Sequence, residues 1–476
     1  MSRTGTGAST LSVRPGRARS YGLLVGVPLV VLLLLVMSLP RMMQSENPWS
    51  EANLLFLALL SYLAASAYYV GFVPLRDELL HRMALGATAV GLLIHTGAVV
   101  HRSYTAGRPP FSNMYEMLVS FAWGVVLVSV IFEKKYKMTF VGSVTLPIAT
   151  LALILTQLMP SEIRPLMPAL QSTWLHIHVT FAMFAYAACA VSFALALLYL
   201  VKDGTSTNIF LCAVSAFVST ICVALLTRLD PHGGLLVPAW DVLEKREIFL
   251  AQKMPLMVSI PGLGYLFAIV LAVSLVPLLL VLLARPNLAR GKSVALEAWA
   301  RRIFVVATLL QIVAVTAFVA RAKDGSYFAA QVGTFFPTRL SVSPFLVAGM
   351  ASALFASALM LLLLWRRETI ESILPEPNKI DLLTYKTIAV AFPLLTIMIA
   401  TGAYWANRTW GSYWSWDPKE TWALVTWLVY AGYLHARLVH GWRGRRAAYL
   451  AIIGFAVVIF TFFGVSYLLP GLHAYA

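Results

Sequence analysis

Long apolar stretches, each bounded by charged or polar residues, recur along the whole chain. A helix of about 20 apolar residues crosses a hydrocarbon core of about 30 Å, and these stretches have that length. They predict helices at residues 22–39, 52–73, 83–101, 113–132, 139–159, 174–201, 208–227, 261–284, 303–320, 343–365, 386–405, 421–438 and 447–468. The pattern therefore predicts an all-α protein, a polytopic transmembrane helical bundle of about 13 spans.

Composition excludes a water-soluble enzyme. Of the 476 residues, 60% are hydrophobic and only 12% are charged, whereas soluble domains carry about 25% charged residues. The three cysteines (Cys189, Cys212 and Cys222) lie in apolar stretches and form no CxxC pair, which is typical of core residues rather than redox or metal-binding thiols. The net charge of +16 has a topological explanation, and we expect no nucleic-acid partner.

The basic residues predict the orientation in the membrane. With the N-terminus inside, 23 of the 36 lysines and arginines fall on inner segments, as the positive-inside rule requires. Residues 1–20 then form a basic cytoplasmic tail, and the first apolar stretch is an uncleaved span. An odd number of spans places the C-terminus, Ala476, outside.

One outer segment, 406–420, is unusually rich in aromatic residues. Six of the thirteen tryptophans fall between Trp405 and Trp427, more than an interfacial aromatic belt requires. Such a platform suits a large, flat, apolar ligand. The basic side chains of Arg408 and Lys419 are placed to bind carboxylates at the periphery of that ligand. Asp417 followed by proline is also a helix-start signal, so a purely structural role for Asp417 stays open.

The stretch WGSYWSWDPKETWALVTWLVYAGYLHAR, residues 410–437, is very similar to the tryptophan-rich "WWD" signature of the CcsA/ResC haem-handling proteins. These proteins act in System II cytochrome c biogenesis, and some carry the name CcsB. The resemblance extends over about residues 380–475. PPFSNMYEMLVSFAW, residues 109–123, resembles the family's N-terminal motif. The segment around His178 and the closing GLHAY with His473 resemble the segments that bear the family's two external histidines.

The resemblance implies a haem b site, with His178 and His473 as ligands of the haem iron. The aromatic loop, represented by Trp410, Trp414, Trp416 and Asp417, is implied to bind the same haem. The resemblance also implies that His435 ligates a second haem, held within the membrane near the inner side. No catalytic side chain is assigned.

The membrane topology, predicted from hydropathy and basic residues alone, agrees with a haem site formed by His178, His473 and the aromatic loop. His178 lies four residues into a span that enters from outside, about 6 Å deep by helical rise. The aromatic loop and His473 are also outside, whereas His176 faces another side of the helix. For His435 the trans ligand stays open: His81 and His95 do not match its depth well, and the resemblance implies a histidine from a ResB/CcsB-type subunit.

The resemblance implies a function in the bacterial cytoplasmic (inner) membrane. The protein is expected to be a haem-handling subunit of a cytochrome c synthase, a haem lyase, which presents haem at the outer face for thioether attachment to apocytochrome c. The implied partners are a ResB/CcsB-type membrane subunit, an apocytochrome with a CxxCH segment and, indirectly, thiol-reducing proteins. Two alternatives stay open: a haem transporter or chaperone without ligation activity, and a b-type electron-transfer protein.

The proposed organisation has four parts: the tail at 1–20, an N-terminal transmembrane part at 21–201, an inserted transmembrane region at 202–378 and a WWD core at 379–476. The inserted region has no assigned chemistry, because family members are expected to have little chain there. Within it, alternating apolar and charged residues from Val237 to Gln252 predict an amphipathic helix on the outer surface.

Overall fold

A computed structural model describes residues 15–43, 47, 49–157, 159, 161–163, 165–241, 246–247, 249–250, 254–255, 257–284, 290–323, 338–340, 344–469 and 471. The helices are α1 (Pro15–Met43), α2 (Glu51–Leu75), α3 (Glu78–Ala106), α4 (Met114–Tyr136), α5 (Gly142–Thr156), α6 (Thr173–Lys202), α7 (Thr207–Leu226), α8 (Leu263–Leu283), α9 (Arg290–Lys323), α10 (Pro344–Ile373), α11 (Pro377–Trp410), α12 (Pro418–Leu438) and α13 (Arg445–Ile459). A 3₁₀ turn at Pro168–Leu170 precedes α6, and α13 continues through a π-helical turn (Phe460–Gly464) into the short α14 (Val465–Leu468).

The structure confirms the predicted fold class. Each of the thirteen apolar stretches coincides with one of the helices α1–α13, and eleven helices of the described residues are long and apolar enough to span a membrane. Helix α5, with 15 residues, is too short to be one of these eleven. Helix α12 is not among them either, and it carries polar side chains such as His435 and Arg437 that lower its hydropathy. The chain is a multi-pass helical membrane protein, and its orientation stays a prediction.

The predicted amphipathic helix from Val237 to Gln252 is wrong: its described residues form strands. They belong to β1 (Leu235–Asp241), β2 (Arg246–Glu247) and β3 (Phe249–Leu250), and the remaining strands are β4 (Met254–Pro255), β5 (Met257–Ile260) and β6 (Thr338–Leu340). β1 pairs antiparallel with β2, β5 and β6, and β3 pairs with β4. Alternation of apolar and polar residues has the two-residue period of a strand, and that period decides the structure here.

The chain divides into two compact units. The first consists of residues 1–110 and 119–150 and is held by buried polar contacts between its helices. Glu133 accepts hydrogen bonds from the Tyr69 hydroxyl (2.6 Å) and pairs with His81 Nε2 (2.7 Å). Nδ1 of the fully buried His95 contacts the Tyr62 hydroxyl at 3.3 Å. His81 and His95, the two histidines whose depth does not match that of His435, therefore both have protein partners within their own unit.

The second unit consists of residues 111–118 and 151–476. Its central helix is α6, which packs along α11 and α13. Helices α7, α8, α9 and α10 and the antiparallel strand pair of β1 and β5 form a separate apolar core. An ion pair fixes the end of α12 to the start of α11, because Asp381 binds Arg437 with both carboxylate oxygens (2.8 and 2.7 Å). Asp381 also accepts a hydrogen bond from the Gly444 amide, 3.1 Å away. This clamp holds the antiparallel pair α11–α12, which carries the aromatic loop at its other end.

Candidate functional site

His178 lies near the start of α6, and its ring is held by the neighbouring helix α11. Its Nδ1 is 2.7 Å from the backbone oxygen of Met398. A carbonyl oxygen only accepts, so Nδ1 must carry the proton and donate it. The lone pair of the neutral ring is then on Nε2, the arrangement that metal-ligating histidines commonly show.

Gly402 permits this close approach of α6 and α11. A Cβ at this position would lie 2.7 Å from both Cε1 and Nδ1 of His178, which is closer than such atoms approach in proteins. One turn further along α11, the indole of Trp405 lies nearly parallel to the imidazole, with ring centroids 6.3 Å apart and planes 18° apart. Trp405 is itself fixed, because it is buried and its Nε1 donates to the Ala169 oxygen at 3.0 Å. The imidazole is therefore oriented from two sides.

His178 and Trp405 line a cleft of about 790 Å³. The cleft is open at one side, and this volume includes space that is continuous with solvent. The walls are mainly apolar and come from the start of α4, from α6, α11, the aromatic loop, α12 and the π-helical turn. The other lining residues are Met117, Val179, Ala182, Met183, Tyr186, Met398, Ile399, Gly402, Ala403, Ala406, Tyr413, Trp414, Lys419, Glu420, Ala423, Thr461 and Phe462.

The aromatic loop is shaped by helix caps at both of its ends. Gly411 ends α11 in the left-handed conformation, with φ of 78°, and its amide donates to the Asn407 oxygen at 2.9 Å. Asp417 caps α12: it accepts from the Lys419 amide at 3.0 Å, and Glu420 accepts from the Asp417 amide at 3.3 Å. This reciprocal arrangement is a capping box. Asp417 therefore has a structural role as the N-terminal cap of α12, one of the two roles that the sequence indicated for it.

The predicted tryptophans of the loop lie in different places. Trp414 lines the cleft, and Trp416 packs edge-on against it, with ring centroids 5.9 Å apart, but is 70% exposed. Trp410 packs edge-on against Trp405 at 4.9 Å. Of these four tryptophans, Trp405 and Trp414 line the cleft. Trp410 packs against Trp405, and Trp416 packs against Trp414.

Two adjacent residues of α12 bring opposite charges to the cleft wall. Burial lowers the pKa of Lys419 to about 8, although the nearby Asp417 carboxylate opposes this shift. Next to it, Glu420 reaches back to the loop with one carboxylate oxygen, Oε2, which accepts from the amide of Ser415 at 2.8 Å and from its hydroxyl at 3.1 Å. The cleft therefore combines an apolar body with one cation and one anion at its edge.

His473 lies outside the described residues, so its position relative to His178 stays a prediction. Gly471, two residues earlier, is described and lies directly against Asp417 and Pro418, so closely that a Cβ would collide with both. Gly471 therefore lies at the start of α12, the helix that contributes Lys419 and Glu420 to the cleft.

His435 does not line the cleft. It is exposed in the last turn of α12, where its ring lies 5.3 Å from that of His440, centroid to centroid, at 78°. The clamp residue Arg437 follows two positions later. His176 also lies outside the cleft lining, and its Nδ1 donates to the Ser172 oxygen at 2.9 Å. The structure thus separates His435 and His176 from His178.

Sequence reasoning missed three parts of the site. The sequence contains an indication for Trp405, which is the first residue of the tryptophan cluster, but it contains none for Gly402 or for the Met398 oxygen.

The motif at 109–123 contributes Met117 to the cleft. Within it, Glu116 accepts hydrogen bonds from the Ser112 amide and hydroxyl, both at 2.7 Å, and so fixes the start of α4. The π-helical turn supplies Thr461 and Phe462, and such turns occur frequently at functional sites.

Fold and site together define a polytopic helical membrane protein with a histidine- and tryptophan-lined cleft where α6 begins and α11 ends. Sequence comparison identifies the family. The profile described as "Cytochrome C assembly protein" matches residues 111–227 and 340–473. The chain therefore belongs to the cytochrome c assembly protein family, and a role in cytochrome c biogenesis follows from this membership.

Several relatives, similar over most of their length, carry the name cytochrome c biogenesis protein CcsA. The relative from Trichormus variabilis is 32% identical over 88% of this chain and 94% of its own. Those from Synechocystis sp. (33%, 89% and 96%) and Gloeobacter violaceus (30%, 89% and 94%) are similar in the same way. The family profile matches on either side of residues 228–339, which lie within the region predicted to be an insertion.

Proposed function

We propose that this protein is a haem-handling subunit of a cytochrome c synthase in the bacterial inner membrane. It takes haem from the membrane and presents it at the outer face to an apocytochrome c with a CxxCH segment. One observation carries the proposal: an imidazole fixed by a hydrogen bond at Nδ1, so that Nε2 has the lone pair, stands in a tryptophan-lined cleft.

The residues of the cleft fit haem as a substrate. A porphyrin is flat and apolar, and indole faces such as those of Trp405 and Trp414 stack well on such rings. The His178 Nε2 suits haem iron, which proteins commonly hold through an axial histidine. Lys419 offers a cation for a propionate. His473 is proposed as the second axial ligand, which would fill the iron's coordination and protect it until the substrate arrives.

In the proposed reaction, each thiol of the apocytochrome adds across one haem vinyl group. The sulfur bonds to the inner vinyl carbon and a proton goes to the outer one, so no oxidant or reductant is consumed. The protein contributes orientation: His178 holds the iron and the indoles hold the ring plane, so that the vinyl edge meets the thiols repeatedly in one geometry.

Two further elements of the proposal concern the inner side. His435, exposed near the end of α12, is proposed to ligate haem on its way to the cleft. Because His81 Nε2 is paired with Glu133 and the ring of His95 is fully buried, a ResB/CcsB-type subunit is proposed to supply the trans histidine. Thiol-reducing proteins act only indirectly, by keeping the apocytochrome reduced.

Co-expression tests the proposal directly. The full chain, a ResB/CcsB-type partner and an apocytochrome are produced together, and haem that survives denaturation on the apocytochrome is measured. The synthase predicts covalent haem that depends on all three proteins. Haem that reaches the outer face but stays unattached would instead indicate a transporter or chaperone. Redox-active haem that stays in the chain, with no transfer, would indicate an electron carrier.

The affinity for haem is expected to fall as the pH rises through about 8. The ammonium of Lys419 is lost in that range, and a propionate then loses its cationic partner. From pH 7 to 9.5, haem affinity of the purified full chain should decrease about tenfold, the value of one charge-assisted hydrogen bond.

The Lys419→Met variant should bind haem more weakly at pH 7 and show a flat profile. Arg408→Gln is the matched control, because Arg408 contacts the Tyr404 ring and does not line the cleft; it should keep the decrease. A flat wild-type profile, or a decrease that persists in Lys419→Met, would contradict the propionate contact.

A further inference from the structure

The two carboxylate oxygens of Glu420 have different environments. Oε2 accepts three hydrogen bonds, from the amide and hydroxyl of Ser415 and from the amide of Asp417. Oε1 is buried and has no hydrogen-bond partner among the described residues. The same side chain lines the cleft together with His178. One oxygen thus fixes the aromatic loop, and the other remains an unmatched acceptor.

An unmatched buried carboxylate oxygen costs free energy, because no hydrogen bond compensates for its desolvation. A capping box needs only one side-chain oxygen at this position, and glutamine serves there as well as glutamate. The second oxygen is therefore not required by the loop. Its natural complement is a hydrogen-bond donor that enters the cleft.

Haem cannot supply that donor. Its propionates are acceptors when ionised, its pyrrole nitrogens bind the iron, and its vinyl and methyl groups have no polar hydrogen. The donor must come from the second substrate, whose CxxCH segment offers thiol S–H groups and an imidazole N–H. A thiol is a weak donor, whereas a metal-ligating histidine nearly always donates its other N–H to a carboxylate, a carbonyl or water.

We propose that Glu420 Oε1 accepts the ring N–H of the apocytochrome histidine when that histidine binds the haem iron. The proposal rests on the proposed function and names the contact by which the substrate is recognised. Glu420 would do for the incoming imidazole what the Met398 oxygen does for His178. The position of Glu420 agrees with this role: Gly471, two residues before His473 in the sequence, lies against Asp417, three residues before Glu420.

The Glu420→Gln variant separates the two oxygens. The amide oxygen of glutamine can keep the loop contacts, and its NH₂ group then replaces Oε1 with a donor that repels an imidazole N–H. Haem-loaded full chain, kept reduced, is titrated with labelled peptides containing CxxCH, SxxSH or CxxCA. Glu376→Gln is the matched control, because Glu376 is exposed at the start of α11 and does not line the cleft.

Glu420→Gln should retain haem and its low-spin spectrum, but bind the CxxCH and SxxSH peptides about tenfold more weakly. Its affinity for CxxCA, which lacks the imidazole, should equal that of the wild type. Unchanged affinity for SxxSH would overturn the inference, as would a loss that follows the thiols instead. A wild-type chain that takes up no haem would overturn the proposed function itself, and with it this contact; the first two outcomes leave the haem site intact.

Discussion

The His178→Ala variant is expected to lose its low-spin haem. Removing the imidazole takes away the axial nitrogen and leaves an open cleft beside Trp405. Haem content of the purified full chain should fall at least about tenfold, which corresponds to about 1.4 kcal/mol. The haem that remains should be high-spin or five-coordinate. Optical spectra of protein purified with haem present measure both properties.

Free imidazole separates a chemical defect from a folding defect. It fits the space that His178 leaves and should restore part of the haem content and the low-spin spectrum. The matched control is His176→Ala, two residues away on the same helix but outside the cleft lining; its spectrum should equal that of the wild type. A low-spin spectrum that survives in His178→Ala and is lost in His176→Ala would refute the ligand assignment.

A methyl group at Gly402 is expected to be nearly as damaging, although Gly402 itself cannot coordinate iron. The Cβ of Gly402→Ala would stand 2.7 Å from two ring atoms of His178 and push the imidazole off the Met398 oxygen. Loss of such an orienting hydrogen bond typically costs a metal site 10–100-fold in affinity. Haem affinity should fall by about that factor. Alanine favours helix more than glycine does, so a weaker helix does not explain the loss.

Gly432→Ala is the control for this substitution. Gly432 lies in α12, and no atom of the described chain is within 4 Å of a Cβ placed there. Its haem affinity should be unchanged. Added imidazole should rescue His178→Ala but not Gly402→Ala, where the displaced ring still occupies the cleft. Normal haem affinity in Gly402→Ala would show that the hydrogen bond to Met398 is dispensable.

Much of the fold could be predicted because hydropathy is a local property. Each apolar stretch became a helix, as the bilayer leaves few other options for buried backbone. The failure at Val237 has a local cause too: the alternation there has the period of a strand, and antiparallel pairing with Val258 buries both side chains. The helix prediction gave too much weight to the mixture of charges.

The site was only partly predictable for a different reason. His178 and the aromatic loop belong to recognisable motifs, and Asp417 announces a helix start. The contact from His178 to Met398, in contrast, joins residues 220 positions apart. Which backbone oxygen meets the imidazole depends on how α6 and α11 rotate against each other. Gly402 matters only through that packing, and no spacing within either helix encodes it.

The central claim is that haem binds in the cleft through His178. A cryo-electron microscopy structure of the haem-loaded full chain tests it most directly. We expect the iron at bonding distance from His178 Nε2, while Nδ1 keeps its hydrogen bond to the Met398 oxygen and the porphyrin lies against Trp405 and Trp414. Haem bound elsewhere in the chain, or in the cleft with His178 uncoordinated, would contradict the account.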